Sequence, residues 1–232
     1  IWLPDKLERQ MALYEGNPSL GMTFCDSMMF DKNGDQVSFF KVSKPHRGSI
    51  LGPLMTRNFI SSSAIIFRRE ALDSLDCAFD ESYLRVADWD LTLRMAYYFP
   101  ADYVNAPLCR CRTYTLEDKP WKKDWIPREI EAMTSLDNLV DKYPDIQEHY
   151  GPEIKLCYRQ LDYVAGMNAW ELGEVSKARG YFVRHFSHKK FAFVYLCSLV
   201  LRKSWFDSLR SFYRKPRLFP ARRSVGSQET NG

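Results

Sequence analysis

Phe79 to Arg94 reads F-D-E-S-Y-L-R-V-A-D-W-D-L-T-L-R, and the rest of the chain is organised around it. Two acids, Asp88 and Asp90, stand two residues apart just before an apolar helical pattern of Leu91, Leu93, Met95 and Ala96. Asp88 is placed to cap or open that helix, where a carboxylate meets unpaired backbone N–H groups and the positive end of the dipole. Leu91 and Met95, four apart, then face the core, and Arg94 lies one turn beyond Asp90. A carboxylate fixed at a helix start beside a bulky aromatic such as Trp89 suits general-base work. The same spacing also describes an ordinary helix cap with a solvated acid behind it.

Taken whole, F-D-E-x(6)-D-W-D-L-x-L-R-M-A resembles the acceptor-side motif of the family 2 glycosyltransferases, usually F-D-E…E-D-[YW]-D-L-x-L-R. The resemblance makes Asp88 the catalytic base, with Trp89, Asp90 and Arg94 in support. Of these, Trp89 is expected to pack, and Asp90 to orient the loop or bond Arg94. Ala87 stands where the family commonly has Glu. The opening I-W-L-P-D-K-L-E-R-Q is similar to the family segment D-D-D-I-W-L-P-x-K-L-E-x-Q. The acids of that segment hold a divalent metal, Mg or Mn, and the donor diphosphate; here they would precede Ile1. Metal ligands are therefore not expected within the chain, its nucleotide-binding half is expected upstream, and the chain alone is expected to be inactive.

Asn58 to Leu72, N-F-I-S-S-S-A-I-I-F-R-R-E-A-L, is the second informative stretch. Small hydroxyl residues let a ligand approach the backbone and offer donors to sugar hydroxyls, though a simple turn before a buried strand looks the same. The family carries a similar segment beside its sugar pocket, which makes Asn58 and Ser62 candidate substrate contacts. Leu75-Asp76-Cys77-Ala78 lacks the Gly usually found before F-D-E. Where the family has a metal-binding His after Y-R-x, alignment on Arg112 puts Tyr114, and a phenol is a poor ligand.

Composition fits a globular enzyme piece: 232 residues, 45% hydrophobic and 15% aromatic, with a formal charge of +4. Six cysteines without a C-x-x-C pair imply reduced thiols and a cytoplasmic setting, and Cys109-x-Cys111 is too sparse for zinc. No signal peptide is visible, and the first residue is Ile. The longest apolar stretch, Phe191 to Leu201, has eleven residues. A membrane span takes about 20, so this is read as a buried or interfacial helix.

Along the chain, Leu3, Leu7, Met11 and Tyr14 mark one face of a helix opened by Pro4. Leu20 to Phe30 and Gln36 to Val42 read as strands joined at Asn33-Gly34. Asp26 within the first is either a metal or sugar contact or, preferably, a solvated edge acid. His46 is read as a surface residue. Ala64 to Phe67 is an apolar strand, and two short strands flank Asn105-Ala106-Pro107. Beyond Trp121 the helical stretches are Trp125–Tyr143, Ile154–Leu172, Val175–Phe186, Lys190–Leu201 and Trp205–Tyr213. Ala165 to Phe182 looks like one degenerate tetratricopeptide-type hairpin turning at Gly173, which must pack on something else to bury its face.

The expected fold is α/β: residues 1–118 as the acceptor-side half of a GT-A type domain, 119–223 as a helical extension, and 224–232 as a disordered tail. The implied function is inverting transfer of a sugar from a nucleotide-sugar donor to a glycan, lipid-linked or other hydroxyl acceptor, as in cell-surface polysaccharide assembly. The alternative is a non-catalytic scaffold carrying a relic transferase half. Lys189 to Arg223 holds ten Lys or Arg against one acid, Asp207, interleaved with aromatics. This is either an interfacial element at the inner membrane face or a solvated basic face over a helical core. No nucleic-acid motif accompanies it, so nucleic acid is not an expected partner.

Overall fold

The computed structural model describes residues 1–113 and 125–200. Its centre is β1 (Met22–Asp31), whose alternation sends Met22 and Phe24 to one face and Thr23, Cys25 and Ser27 to the other. β4 (Ala101–Arg112) runs parallel to β1 along one edge, from Met22↔Ala101 to Phe30↔Arg112. The second edge is shared by two antiparallel strands: β3 (Ile66–Phe67) pairs with Met22 and Thr23, and β2 (Gly34–Ser38) with Met28 to Asp31. Gly34 turns the β1–β2 hairpin with φ of 100°, a conformation that Asn-Gly supplies readily. Asn105-Ala106-Pro107 does not break β4 as expected. The register slips around Asp26 instead, and the bulge accommodates Pro107, which has no N–H to give. Residues 1–3 line the far edge of β4, with Leu3 N–H to Leu108 O at 2.9 Å and Arg110 N–H to Ile1 O at 2.8 Å.

The apolar face carries the main core. Phe24 stacks on Tyr103 at 5.5 Å and meets Phe40 edge-on, the latter from α2 (Phe39–Val42). Over these lie α3 (Leu51–Thr56) and α5 (Ala87–Tyr98), the latter contributing Leu91, Leu93 and Met95, all fully buried. α4 (Arg69–Asp73) adds Ala71. The same core continues past residue 118. Leu136 and Leu139 of α6 (Trp125–Lys142) belong to it, as do Ile146, Ile154 and Cys157 of α7 (Asp145–Glu171). α7 begins nine residues earlier than the Ile154 expected, with a non-helical Tyr150 close to Pro152. Gly52 of α3 lets Tyr150 approach: a Cβ there would lie 2.9 Å from the Tyr150 ring.

Gly173 (φ 83°) ends α7, with Gly173 N–H to Trp170 O and Glu174 N–H to Ala169 O, both at 2.9 Å, closing a Schellman turn. α8 (Val175–Val183) and α9 (Lys189–Val200) fold back to form a second core of Trp170, Phe182, Phe191 and Val194. The region is therefore an α/β layer followed by a run of helices, as expected in outline. The expectations for Tyr114, Trp205–Tyr213 and the tail fall outside the described residues.

The helix α1 (Lys6–Gly16) corrects a sequence expectation. It buries Lys6, Gln10 and Tyr14 and leaves Leu7 and Met11 exposed. Leu13 packs with Cys25, Val104 and Leu108 on the sheet face it covers, while Thr23 and the adjoining backbone carbonyls take donors from the helix. Gln10 Nε2 reaches Thr23 Oγ1 and Ala64 O at 3.2 Å, and Tyr14 OH reaches Ile66 O at 2.7 Å.

Candidate functional site

The loop before α5 and the first turns of that helix form the candidate site. Val86, not Asp88, occupies the helix N-cap position, and it offers no side-chain cap. Asp88 is the second helical residue and is exposed; its Oδ1 accepts the Trp89 N–H at 2.9 Å. It stands in the first turn, where the helix has open backbone N–H groups. Trp89 turns inward and packs beside Tyr83, Val86, Ala132 and Leu161.

Asp90 has the opposite surroundings. It is 5% exposed, its Oδ2 pairs with Arg94 Nε at 2.8 Å, and its Oδ1 accepts Ser135 Oγ at 2.8 Å. Arg94 in turn donates to Cys77 O at 2.6 Å and Ala78 O at 2.9 Å, fixing the start of the F-D-E loop. Within the loop, Asp80 Oδ1 accepts the Ser82 N–H at 2.9 Å and its hydroxyl at 2.6 Å.

α6 supplies the other wall. Glu131 accepts the Arg85 N–H and its guanidinium, each at 2.7 Å, and Asn138 Nδ2 donates to Tyr83 OH at 2.7 Å. Glu131, Ser135 and Asn138 are spaced i, i+4, i+7, so one face of α6 grips the loop at Arg85, Asp90 and Tyr83. Burial lifts the Tyr83 phenol above its ordinary pKa, which keeps it neutral. This grip escaped sequence reasoning, because partners some 45 residues apart leave no mark in local spacing.

The candidate substrate residues lie elsewhere. Asn58 is exposed and closes its own turn, accepting the Ile60 N–H at 2.9 Å. Ser62 is exposed in a short 3-10 turn (Ser62–Ala64) that packs on the thiol face of the sheet, away from α5. Among the described residues neither hydrogen-bonds to Asp88. Asp26 is buried at 5%, not a solvated edge acid: it accepts the Ser27 N–H at 2.7 Å, the Phe40 N–H at 2.9 Å and the Ser38 hydroxyl. Those donors let a carboxylate sit inside the fold and tie β1 to the start of α2.

On the thiol face, Cys25, Cys109 and Cys111 lie together. Ser27 Oγ is 2.9 Å from Cys109 Sγ, and Ser61 Oγ is 3.4 Å from Cys111 Sγ. Lys6 is fully buried with Nζ 4.0 Å above the Trp2 ring. Among the described residues Lys6 Nζ and Gln10 Oε1 have no hydrogen-bond partner. Burial lowers the Lys6 pKa, while the hydrogen bond with Cys109 and the nearby ammonium lower that of Cys25. Neither residue was singled out by the sequence reading, since a Lys at helical spacing reads as solvent-facing.

Among the described residues no group of three or more His, Cys, Asp or Glu is placed to hold a metal ion. The divalent ion implied by the resemblance therefore finds no ligand set there. No protein-family model matches the chain, and no curated protein matches it significantly.

Proposed function

We propose that the chain carries the acceptor-binding, proton-removing part of an inverting glycosyltransferase of the family 2 type, with Asp88 as general base. One observation carries this reading: the two acids of Asp88-Trp89-Asp90 have divided roles. Asp90 is buried and its carboxylate is engaged by Arg94 and Ser135. Asp88, two residues away, is exposed on a helix turn whose position those bonds fix. A base needs this combination of a rigid mount and an accessible carboxylate.

In the proposed reaction the Asp88 carboxylate takes the proton of an acceptor hydroxyl. The oxygen attacks the anomeric carbon of a nucleotide sugar from the side opposite the leaving nucleotide diphosphate, and the configuration inverts. Base assistance of this kind contributes about 10²–10⁴ in rate. No step is assigned to Asn58 or Ser62.

The test is Asp88→Asn in the intact protein, assayed by release of nucleoside diphosphate from a panel of nucleotide sugars with hydroxyl acceptors. Transfer should fall at least about 100-fold with an unchanged thermal melt and unchanged donor binding. Retention of transfer within a few fold would reduce Asp88 to a residue of the helix start.

A further inference from the structure

We propose that the outer face of α9 docks on an anionic lipid surface. α9 reads K-K-F-A-F-V-Y-L-C-S-L-V and is apolar on both sides. Phe191 and Val194 face inward and are buried at 2% and 4%. Phe193, Leu196 and Leu199, at i, i+3 and i+6, form an opposite stripe and are 57%, 53% and 51% exposed. A helix apolar all round is ordinarily covered all round. Phe186 extends the stripe, its ring edge-on to Tyr195 at 5.5 Å and itself 45% exposed. Exposed Lys189 lies one turn before Phe193, at the same end of the stripe.

The charge of the sequence from α9 onward selects the occupant. From residue 189 to 223 the sequence carries ten Lys or Arg and one acid, Asp207, while before α9 Lys177 is paired with Glu174 and Arg184 with Asp162. A second copy docked through the same face would set this cation-rich stretch against itself. An anionic bilayer instead offers acyl chains to the aromatic and aliphatic side chains and headgroups to the cations. Among the described residues no helix is long and apolar enough to cross a membrane, and α9 at twelve residues lies along the interface in this proposal.

The experiment is sedimentation of the full chain with vesicles of phosphatidylcholine alone and of phosphatidylcholine mixed with phosphatidylglycerol. The chain should sediment with the mixed vesicles, and raised salt should release it. Joint replacement Phe193→Ser and Leu196→Ser should weaken binding by at least about tenfold, from the apolar area lost to the interface. Lys189→Glu should weaken it severalfold without touching the apolar stripe, and so serves if the double variant misfolds in a melt. Equal binding to both vesicle types, binding to neither, or binding unaffected by either variant overturns the proposal. So does a concentration-dependent dimer, seen by light scattering, that the double variant abolishes while sedimentation is unchanged. Neither readout involves transfer, so the outcome is independent of Asp88 chemistry.

Discussion

Asp90→Asn separates scaffold from chemistry at the candidate site. The substitution keeps the size of the side chain and an oxygen for Ser135, but it removes the countercharge of Arg94. The pair is nearly dry, with side-chain exposures of 12% for Arg94 and 7% for Asp90. Breaking a buried pair on one side costs about 3–5 kcal/mol, because a charge is left without compensation. Arg94 retains the Cys77 and Ala78 carbonyls, which places the expected loss at the lower end, about 3 kcal/mol. For a chain of this size that corresponds to a fall in Tm of about 6–12 °C. Thermal and urea melts followed by far-UV circular dichroism measure it. Asp88→Asn, on an exposed side chain, should stay within about 0.5 kcal/mol of the parent. Adding Arg94→Met to Asp90→Asn should recover part of the loss, since neither charge then remains buried. A loss under about 1 kcal/mol for Asp90→Asn would show that the pair is a surface contact and that the loop is held by other means.

Three further outcomes are expected. Lys6→Met should stabilise the protein by about 1–3 kcal/mol at neutral pH, since it removes a buried donor without an acceptor. Burial holds the Lys6 pKa below its unfolded value, so parent stability rises with pH through that window. The variant's advantage, read from urea midpoints, should then shrink on approach to the unfolded lysine pKa. Glu129 is 3% exposed and its pKa is raised by burial, so the fold takes up a proton more readily than the unfolded chain. The stabilising effect of Glu129→Gln should be largest near pH 7 and fade as the pH falls through the raised pKa towards the unfolded carboxylate value. Gly166→Ala puts a Cβ 2.4 Å from the Phe182 ring and should cost about 1–3 kcal/mol, outweighing any gain in helix propensity. At Gly180, where a Cβ would meet no heavy atom within 4 Å, the same change should stabilise α8 by about 0.5–1 kcal/mol. Melts of the two glycine variants provide the comparison.

Much of the framework was legible locally. Asn33-Gly34 marked its hairpin, Gly173 its helix end, and Asp90 and Arg94 their i, i+4 pairing. What the sequence hid depended on which surface each element would meet. Leu7 and Met11 carried the apolar signal of α1, yet the helix turned Lys6, Gln10 and Tyr14 inward, because the sheet face beneath presents Thr23, thiols and open carbonyls. Asp26 was misread because its three donors come from Ser27, Ser38 and Phe40, which a hairpin brings back to it. Asp88 and Asp90 look equivalent in the string D-W-D; only the partner Ser135 on α6 and the burial around it set them apart.

The three side chains that α6 extends to the loop also join two equilibria. Any molecule that settles on the loop and narrows its fluctuations must also restrain Glu131, Ser135 and Asn138, and through them a helix whose Leu136 and Leu139 sit in the main core. Occupancy of the site should therefore slow amide hydrogen exchange in α6, beyond the residues a ligand touches. By reciprocity, loosening α6 from that core should weaken the binding of any such molecule without altering a group that contacts it.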